Sequence, residues 1–507
     1  MPAWPSPRRL MLLPLSFPVP ATAPFGVRAW VSAFAAALTL CLGTAAHAQT
    51  MGLPAEVEAA LERARIPRDA MVALVADIGA DATASVVRLR HRDTVPVNPA
   101  SLMKLVTTFA ALEQLGPTYS WATPVYIDGP VRNGVLQGNL YIQGRGDPKL
   151  VSERLWLLMR RVQGLGIQQI AGDIVLDRSA FTVPPQDPGA FDGERLRPYN
   201  AAPDALLVNY KSLVFTFVPD RAAGVARVQV EPPLAGFSAP ATVPLQPGEC
   251  NDWRAALKAD FADAARVRWA GAYPTACGER VWPVAAADPR GFAARAVAGM
   301  WAQLGGTLTG AVREGSVPGG LAPAFEVTSP SLAEVVRDVN KFSNNVMAQQ
   351  LFLTLGLPRG TAPSGAASFD AARAAVAPWW RERMGADVDA PVIDNGSGLS
   401  RDERISARAL ARLLQVAWAS PSMPELMSSL PIAGVDGTMR RARLRGEGTA
   451  HLKTGSLRDV TGVAGYVLSA RGQRRVLVAI VNHAQAHAAR PAIEALVDWA
   501  MRDAPAR

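Results

Sequence analysis

The feature that most restricts the fold is a change of texture that begins near residue 125 and reverses near residue 330. Before it, residues 71–92 (MVALVADIGADATASVVRLRHR) alternate apolar and polar positions around Gly79-Ala80-Asp81, the pattern of a β-hairpin. Asn98-Pro99-Ala100 then lead into Leu102, Leu105, Val106, Phe109, Leu112 and Leu115, which recur at helical spacing until Gly116-Pro117 stops them. After it come short strand-like segments (GVLQGNLYIQG, AGDIVLD, LLVNYKSLVFTFVP, ARVQVEP), interrupted by one helical stretch, VSERLWLLMRRVQGLG. From residue 331 helices return in SLAEVVRDVNKFSNNVMAQQLFLTLG and ARALARLLQVAWAS. AHLKTGSLRDVTGVAGYVLSA and RRVLVAIVNH then read as strands, and ARPAIEALVDWAMRDA as a closing helix. This order suits one α/β domain, residues 49–125 and 331–507, interrupted by a strand-rich module over 126–330 with room for two nested subdomains.

The N-terminus reads as an export signal. Arg28 precedes the apolar run AWVSAFAAALTLCLG, and TAAHAQT supplies an A-x-A site at Ala46, His47 and Ala48. Cleavage after Ala48 would leave a periplasmic protein without an integral membrane span, the apolar run being short for a spanning helix. It would also lower the formal charge from +9 to +6, since residues 1–48 hold three arginines and no acid. Loss of Cys41 leaves Cys250 and Cys277, an even pair in an oxidising compartment, which predicts a disulfide. Neither cysteine sits in C-x-x-C, and the five histidines form no H-E-x-x-H spacing, so no metal or cofactor is expected. The positive charge is scattered, with no basic run interleaved with aromatics, which argues against nucleic acid as a partner. Arg145-Gly146-Asp147 resembles an adhesion tripeptide but reads as a tight turn.

Only six of the 52 basic residues are lysines: Lys104, Lys149, Lys211, Lys258, Lys341 and Lys453. Lysine differs from arginine in that it can lose its proton when buried or set beside another cation, so a chain rich in arginine keeps lysine where that property matters. Lys104 closes Ser101-Leu102-Met103-Lys104 (S-x-x-K) at the head of the apolar helix, with Ser101 one turn away on the same face. Two further pieces follow in order: Ser343-Asn344-Asn345 (S-x-N) in a turn beside a helix, and Lys453-Thr454-Gly455 on a strand, with Ser456 next. Each alone has an ordinary structural reading, as a helix cap, a turn cluster and a strand edge. Together and in this order they form the motif set of serine acyl-transferases.

The chemistry follows from the residue types. Ser101 would be the nucleophile at a helix N-terminus, where developing negative charge is favoured. With no Ser-His-Asp set visible, Lys104 would be the base, its pKa lowered by desolvation and by Lys453. Ser343 would relay a proton to the leaving amine, and Asn345 would bond Lys104 and the substrate amide. Lys453 and Thr454 would hold a terminal carboxylate, with Gly455 letting the strand come close. Backbone N–H groups of Ser101 and Ser456 would form the oxyanion hole.

Here the chain resembles the class C low-molecular-mass penicillin-binding proteins, the D-alanyl-D-alanine carboxypeptidase/endopeptidases of peptidase family S13. Ser343 lies 239 positions after Lys104 and Lys453 lies 110 after Ser343, which is similar to that family's spacing, with its domain-sized insertion. LQGNLYIQGRGDPKL, AGDIVLDRSAF, IDNGSGLSRDERIS and LPIAGVDGTMRR look like further signatures, so the resemblance runs from about residue 55 to 500. It implies a β-lactamase/transpeptidase-like fold, an antiparallel sheet with flanking helices, carrying the inserted module. It also implies peptidoglycan stem peptides as substrate and β-lactams as covalent inhibitors. By the same resemblance Arg401 in GSGLSR would bind a carboxylate of the substrate's diamino acid. Glu194 in FDGERLRPYN, with Asp192 as rival, would meet its amino group, and Arg458 would lie near the cleft. A serine β-lactamase, a non-catalytic wall-binding scaffold and an esterase compete with this reading.

Overall fold

The structure is a computed structural model that describes residues 52–79, 86–358, 365–446 and 448–502. The leader assigned to residues 1–48, Cys41, and Ala80 and Asp81 of the hairpin turn lie outside them.

Five strands carry the site: β1 (Met71–Asp77), β2 (Val87–His91), β3 (Ala450–Leu457), β4 (Val460–Leu468) and β5 (Arg474–Asn482). They pair antiparallel in the order β3-β4-β5-β1-β2, so residues 71–91 and 450–482 meet in one sheet and β3 forms an edge. β1 and β2 pair as the hairpin pattern predicts, but β1 does not alternate between buried and exposed. All seven of its residues are buried because the sheet is covered on both faces. Val72, Leu74 and Ala76 share a core with helices Lys104–Leu115, Leu332–Phe342, Asn345–Leu355, Phe369–Met384 and Ala407–Trp418. Met71, Ala73 and Val75 pack with Ala55–Arg63 and Arg490–Met501 on the other side. This is an α/β fold of the β-lactamase/transpeptidase-like kind.

The helical run that begins at Ser331 is two helices. Ser331 and Glu334 form a capping box that starts Leu332–Phe342. Ser343 then adopts a left-handed conformation (φ 57°, ψ 38°) that ends it, and the Asn344 side chain caps the next helix by accepting from Met347 N–H.

Between residues 122 and 328 the chain builds separate sheets around a core of its own. Strand Ala122–Ile127, which starts before residue 126, pairs antiparallel with Phe325–Thr328, so both ends of this region lie side by side. A second five-stranded sheet is centred on Ser212–Asp220 and Val225–Glu231. Cys250 and Cys277 are bonded to each other beside it, near the ring cluster of Phe217, Trp253 and Tyr273. Arg145-Gly146-Asp147 is an irregular segment with a buried aspartate, and the turn lies just after it at Pro148-Lys149.

Candidate active site

Burial sorts the lysines as their scarcity suggests. Lys104 and Lys453 are fully buried, and Lys211 and Lys341 nearly so, each of the latter pair matched to an aspartate. The structure gives Lys104 a defined set of neighbours, beginning with the turn in front of it. Asn98 accepts the Ala100 N–H through Oδ1 (2.8 Å) and donates through Nδ2 to Ser400 O (2.9 Å), while its backbone is clasped by Asn482. These bonds hold Ala100 at φ 48°, a left-handed conformation costly for a residue with a Cβ. The chain then makes one short 3-10 turn, Ala100–Met103, that runs into helix Lys104–Leu115. Ser101 is partly accessible at its head, and Lys104 lies below it.

Three oxygens surround Lys104 Nζ: Ser101 Oγ at 2.9 Å, Asn345 Oδ1 at 2.6 Å and the Ser397 carbonyl. Two of these, an amide oxygen and a backbone carbonyl, can only accept. A neutral amine has two N–H groups and one lone pair, so with both N–H groups taken the lone pair faces the Ser101 hydroxyl. Burial pushes the Lys104 pKa down to about 7, against the pull of the Glu403 carboxyl, so this neutral form is accessible near neutrality.

Lys453 closes the other side. Its Nζ donates to Ser343 Oγ (2.8 Å) and Thr454 O (2.7 Å). Burial and then the charge of Lys104 lower its pKa well below the ordinary lysine value. Burial is the largest cause at both lysines, and repulsion between the two cations adds to it. Thr454 Oγ1 bonds Thr438 Oγ1 at 2.7 Å. At Gly455 a Cβ would lie 2.5 Å from Pro99 O and 3.0 Å from Leu102 Cγ, so β3 rests directly on the turn that carries Ser101. Ser456 follows, exposed on the same edge, and Arg458 is exposed in the turn beyond. Beneath Ser343, Lys341 pairs with Asp436 at 2.5 Å, and Asp436 also accepts the Ile432 N–H. This pair joins the 431–439 segment to the end of the Ser343 helix.

The GSGLSR segment forms the third wall. Gly398, at φ 80°, lies so near the turn that carries Ser101 that a Cβ there would sit 2.0 Å from Ala100 O. Arg401 pairs with Asp459 (3.0 Å) and stacks its guanidinium over Phe191, 4.4 Å from the ring centre. The FDGERLRPYN loop thus reaches the site twice, through Phe191 and through Tyr199 O, which accepts from Asn345 Nδ2 at 3.3 Å. Asn345 therefore bonds Lys104 and this loop. Within the loop Asp192 is occupied by Tyr199 and Asn200, whereas Glu194 is exposed and contacts Arg197 at 3.2 Å. Asp192 is exposed as well, so exposure does not separate the two acids.

The structure adds residues that motif reading passed over: Asn98, Tyr199, Ser397, Glu403, Thr438 and Asn482. Ser397, Glu403 and Thr438 lie inside stretches already singled out as signatures, which was the available signal. Tyr199 lies inside FDGERLRPYN, which was quoted for its acids, whereas Asn98 and Asn482 had no such signal, because their roles depend on contacts distant in sequence. Among the described residues no group of His, Cys, Asp and Glu could hold a metal ion.

A serine and two buried lysines converging where an antiparallel sheet edge meets a helix define the class of β-lactamase/transpeptidase-like serine enzymes. Residues 53–503 match the D-Ala-D-Ala carboxypeptidase 3 (S13) family, and the chain belongs to that family of penicillin-binding, peptidoglycan-directed hydrolases. It is 30% identical to a D-alanyl-D-alanine carboxypeptidase of Actinomadura sp. (strain R39), over 80% of this chain and 78% of that one. It is 26% identical to the D-alanyl-D-alanine carboxypeptidase DacB of Haemophilus influenzae, over 76% of this chain and 80% of that protein. The crystal structure of penicillin binding protein 4 from Haemophilus influenzae superposes with a TM-score of 0.67 at 22% identity, covering 88% of this chain and 99% of that one.

Proposed function

We propose that this protein is an exported serine DD-peptidase that cleaves the D-Ala-D-Ala bond or peptide cross-links of peptidoglycan stem peptides through an acyl-serine. The observation that carries the mechanism is the environment of Lys104, where two acceptor-only oxygens occupy its N–H groups and leave its lone pair for Ser101. Ser101 Oγ attacks the carbonyl carbon of the penultimate residue as its proton passes to Lys104 Nζ. The C–N bond then breaks, and Ser343, held by Lys453, delivers a proton to the departing amine and is reprotonated by the proton that Lys104 took from Ser101. Water hydrolyses the ester and restores the serine. The Ser101 and Ser456 N–H groups stabilise the oxyanion, and Lys453 and Thr454 hold the terminal carboxylate. Neutralising that carboxylate is the work for which a second buried amine is suited.

Arg401 would receive the side-chain carboxylate of the diamino acid, exchanging Asp459 for substrate, and Glu194 would meet the amino group. Residues 49–125 and 331–507 would be the catalytic domain and 126–330 the inserted module. Export to the periplasm rests on the signal-like residues 1–48 and is supported by the Cys250–Cys277 bond, which an oxidising compartment favours. No helix among the described residues is long and apolar enough to cross a membrane. Inhibition by penicillin is supported by family membership and by a related Haemophilus influenzae penicillin binding protein 4 solved in complex with a β-lactam.

The test is incubation of the purified protein with a fluorescent penicillin, followed by intact mass, with Ser101→Ala as control. A lasting adduct that the variant lacks, together with D-alanine release from a stem pentapeptide, is the expected result. Rapid turnover without an adduct would instead indicate a serine β-lactamase, and no reaction a scaffold or an esterase.

A further inference from the structure

Glu403 is fully buried, and one of its oxygens does the work of a three-point clamp. Oε1 accepts the N–H groups of Asp394 (3.2 Å), Asn395 (3.1 Å) and Gly396 (2.9 Å), three successive residues. The next residue is Ser397, whose carbonyl is one of the two acceptors that fix Lys104. The same loop continues to Gly398, which presses on the Ala100–Ser101 peptide. Oε2 is equally buried and has no hydrogen-bond partner. A buried carboxyl with one oxygen saturated and the other unpartnered is costly, and burial raises its pKa to about 7. The charged groups that act on it are Lys104 from the nucleophile helix and Asp394 from its own loop, with Lys453 beyond Lys104.

We propose that Glu403 is a positioning residue for the acylation base: Oε1 shapes the loop that presents the Ser397 carbonyl, and its carboxylate supports the ammonium that forms on Lys104 when Ser101 gives up its proton. This rests on the reading of Lys104 as base. The proton balance is simple: one proton moves from Ser101 Oγ to Lys104 Nζ, and the charge of the Glu403 carboxylate favours the new cation. A hydrophobic residue at position 403 would leave three N–H groups unpaired and the ammonium without a counter-charge. Glutamine keeps an acceptor for the loop but removes the charge, which separates the two contributions.

The experiment follows acylation of the whole protein by a fluorescent penicillin as a function of pH, comparing wild type with Glu403→Gln and Glu403→Asp. Wild-type acylation is the internal reference: if it is absent, the proposed function has failed and not the role of Glu403. Without the carboxylate that pulls the Lys104 pKa up, the limb on which the rate rises with pH should move to lower pH in Glu403→Gln, by about half a unit or more. Glu403→Asp, a methylene shorter, should loosen the loop and slow acylation about tenfold or more across the whole pH range. A Glu403→Gln profile that superimposes on wild type, or moves to higher pH, would overturn the electrostatic role. If Glu403→Gln does not fold by circular dichroism, Glu403→Asp decides, and a wild-type rate there overturns the proposal.

Discussion

Replacing Gly398 by alanine tests whether the nucleophile turn is held from outside the helix that carries it. The added Cβ would lie 2.0 Å from Ala100 O, 2.3 Å from Ala100 C and 2.7 Å from Ser101 N, where ordinary contact begins at about 3.4 Å. All three are backbone atoms, and Ala100 is fully buried, so no side chain can rotate away. The φ of 80° costs an alanine roughly 1–2 kcal/mol, and overpacking of this kind roughly 1–3 kcal/mol more. Together they predict a stability loss of about 2–5 kcal/mol. Relief must come from moving the Ala100–Ser101 peptide by more than about 1 Å, which shifts both the nucleophile and one oxyanion donor; displacements of that size cost on the order of 10²-fold in rate. Gly472→Ala supplies the control, because it has nearly the same φ (79°) in the turn between β4 and β5 and nothing within 4 Å. It should lose only roughly 1–2 kcal/mol and acylate normally. Urea denaturation and the acylation rate with fluorescent penicillin measure the two quantities. A Gly398→Ala protein that resembles the Gly472 control in both would show that the loop does not hold the nucleophile, and the argument would fall.

Acylation should depend on pH through Lys104. Its pKa lies at about 7, and only the neutral amine accepts a proton, so the rate should fall roughly tenfold per unit below that value and level off above it. A rate that stays flat from about pH 5.5 to 8 would remove Lys104 as the base. Asp436→Asn keeps an acceptor for the Ile432 N–H but strips the buried Lys341 of its counter-charge. Because Asp436 is one-third exposed, the loss should be about 1–3 kcal/mol rather than the full cost of a buried orphan charge, with slower acylation because Lys341 precedes Ser343 by two positions; urea midpoints and rates check both. Cys250→Ser with Cys277→Ser frees a loop of 27 residues in the inserted region and should cost about 3–4 kcal/mol by chain entropy. Calorimetry should record that loss while acylation stays at the wild-type rate, since neither cysteine approaches the site.

Much of this protein was legible in one dimension, and for local reasons. S-x-x-K places serine and lysine one helical turn apart in any chain that folds that stretch as a helix, so their contact needed no tertiary knowledge. The change of texture near residues 125 and 330 reflects strand periodicity giving way to helical periodicity, which is also a local property. The reading of β1 as an alternating strand failed because a strand covered on both faces carries no alternation, and whether the second face is covered depends on helices Ala55–Arg63 and Arg490–Met501.

What the chain determined by itself was the proposed reacting inventory: Ser101, Lys104, Ser343, Asn345 and Lys453 stand out by residue type, order and the short spacings that secondary structure enforces. Tertiary structure decided the surroundings that make them reactive. Lys104 is suited to the proposed role of base because Asn345 and Ser397, both far away in sequence, take its N–H groups and because the packed core strips it of water. Glu403 becomes a clamp only once the 394–396 backbone folds over it. Desolvation and hydrogen-bond geometry depend on which atoms share a volume, and a one-dimensional pattern carries that information only where the backbone conformation between two residues is already set.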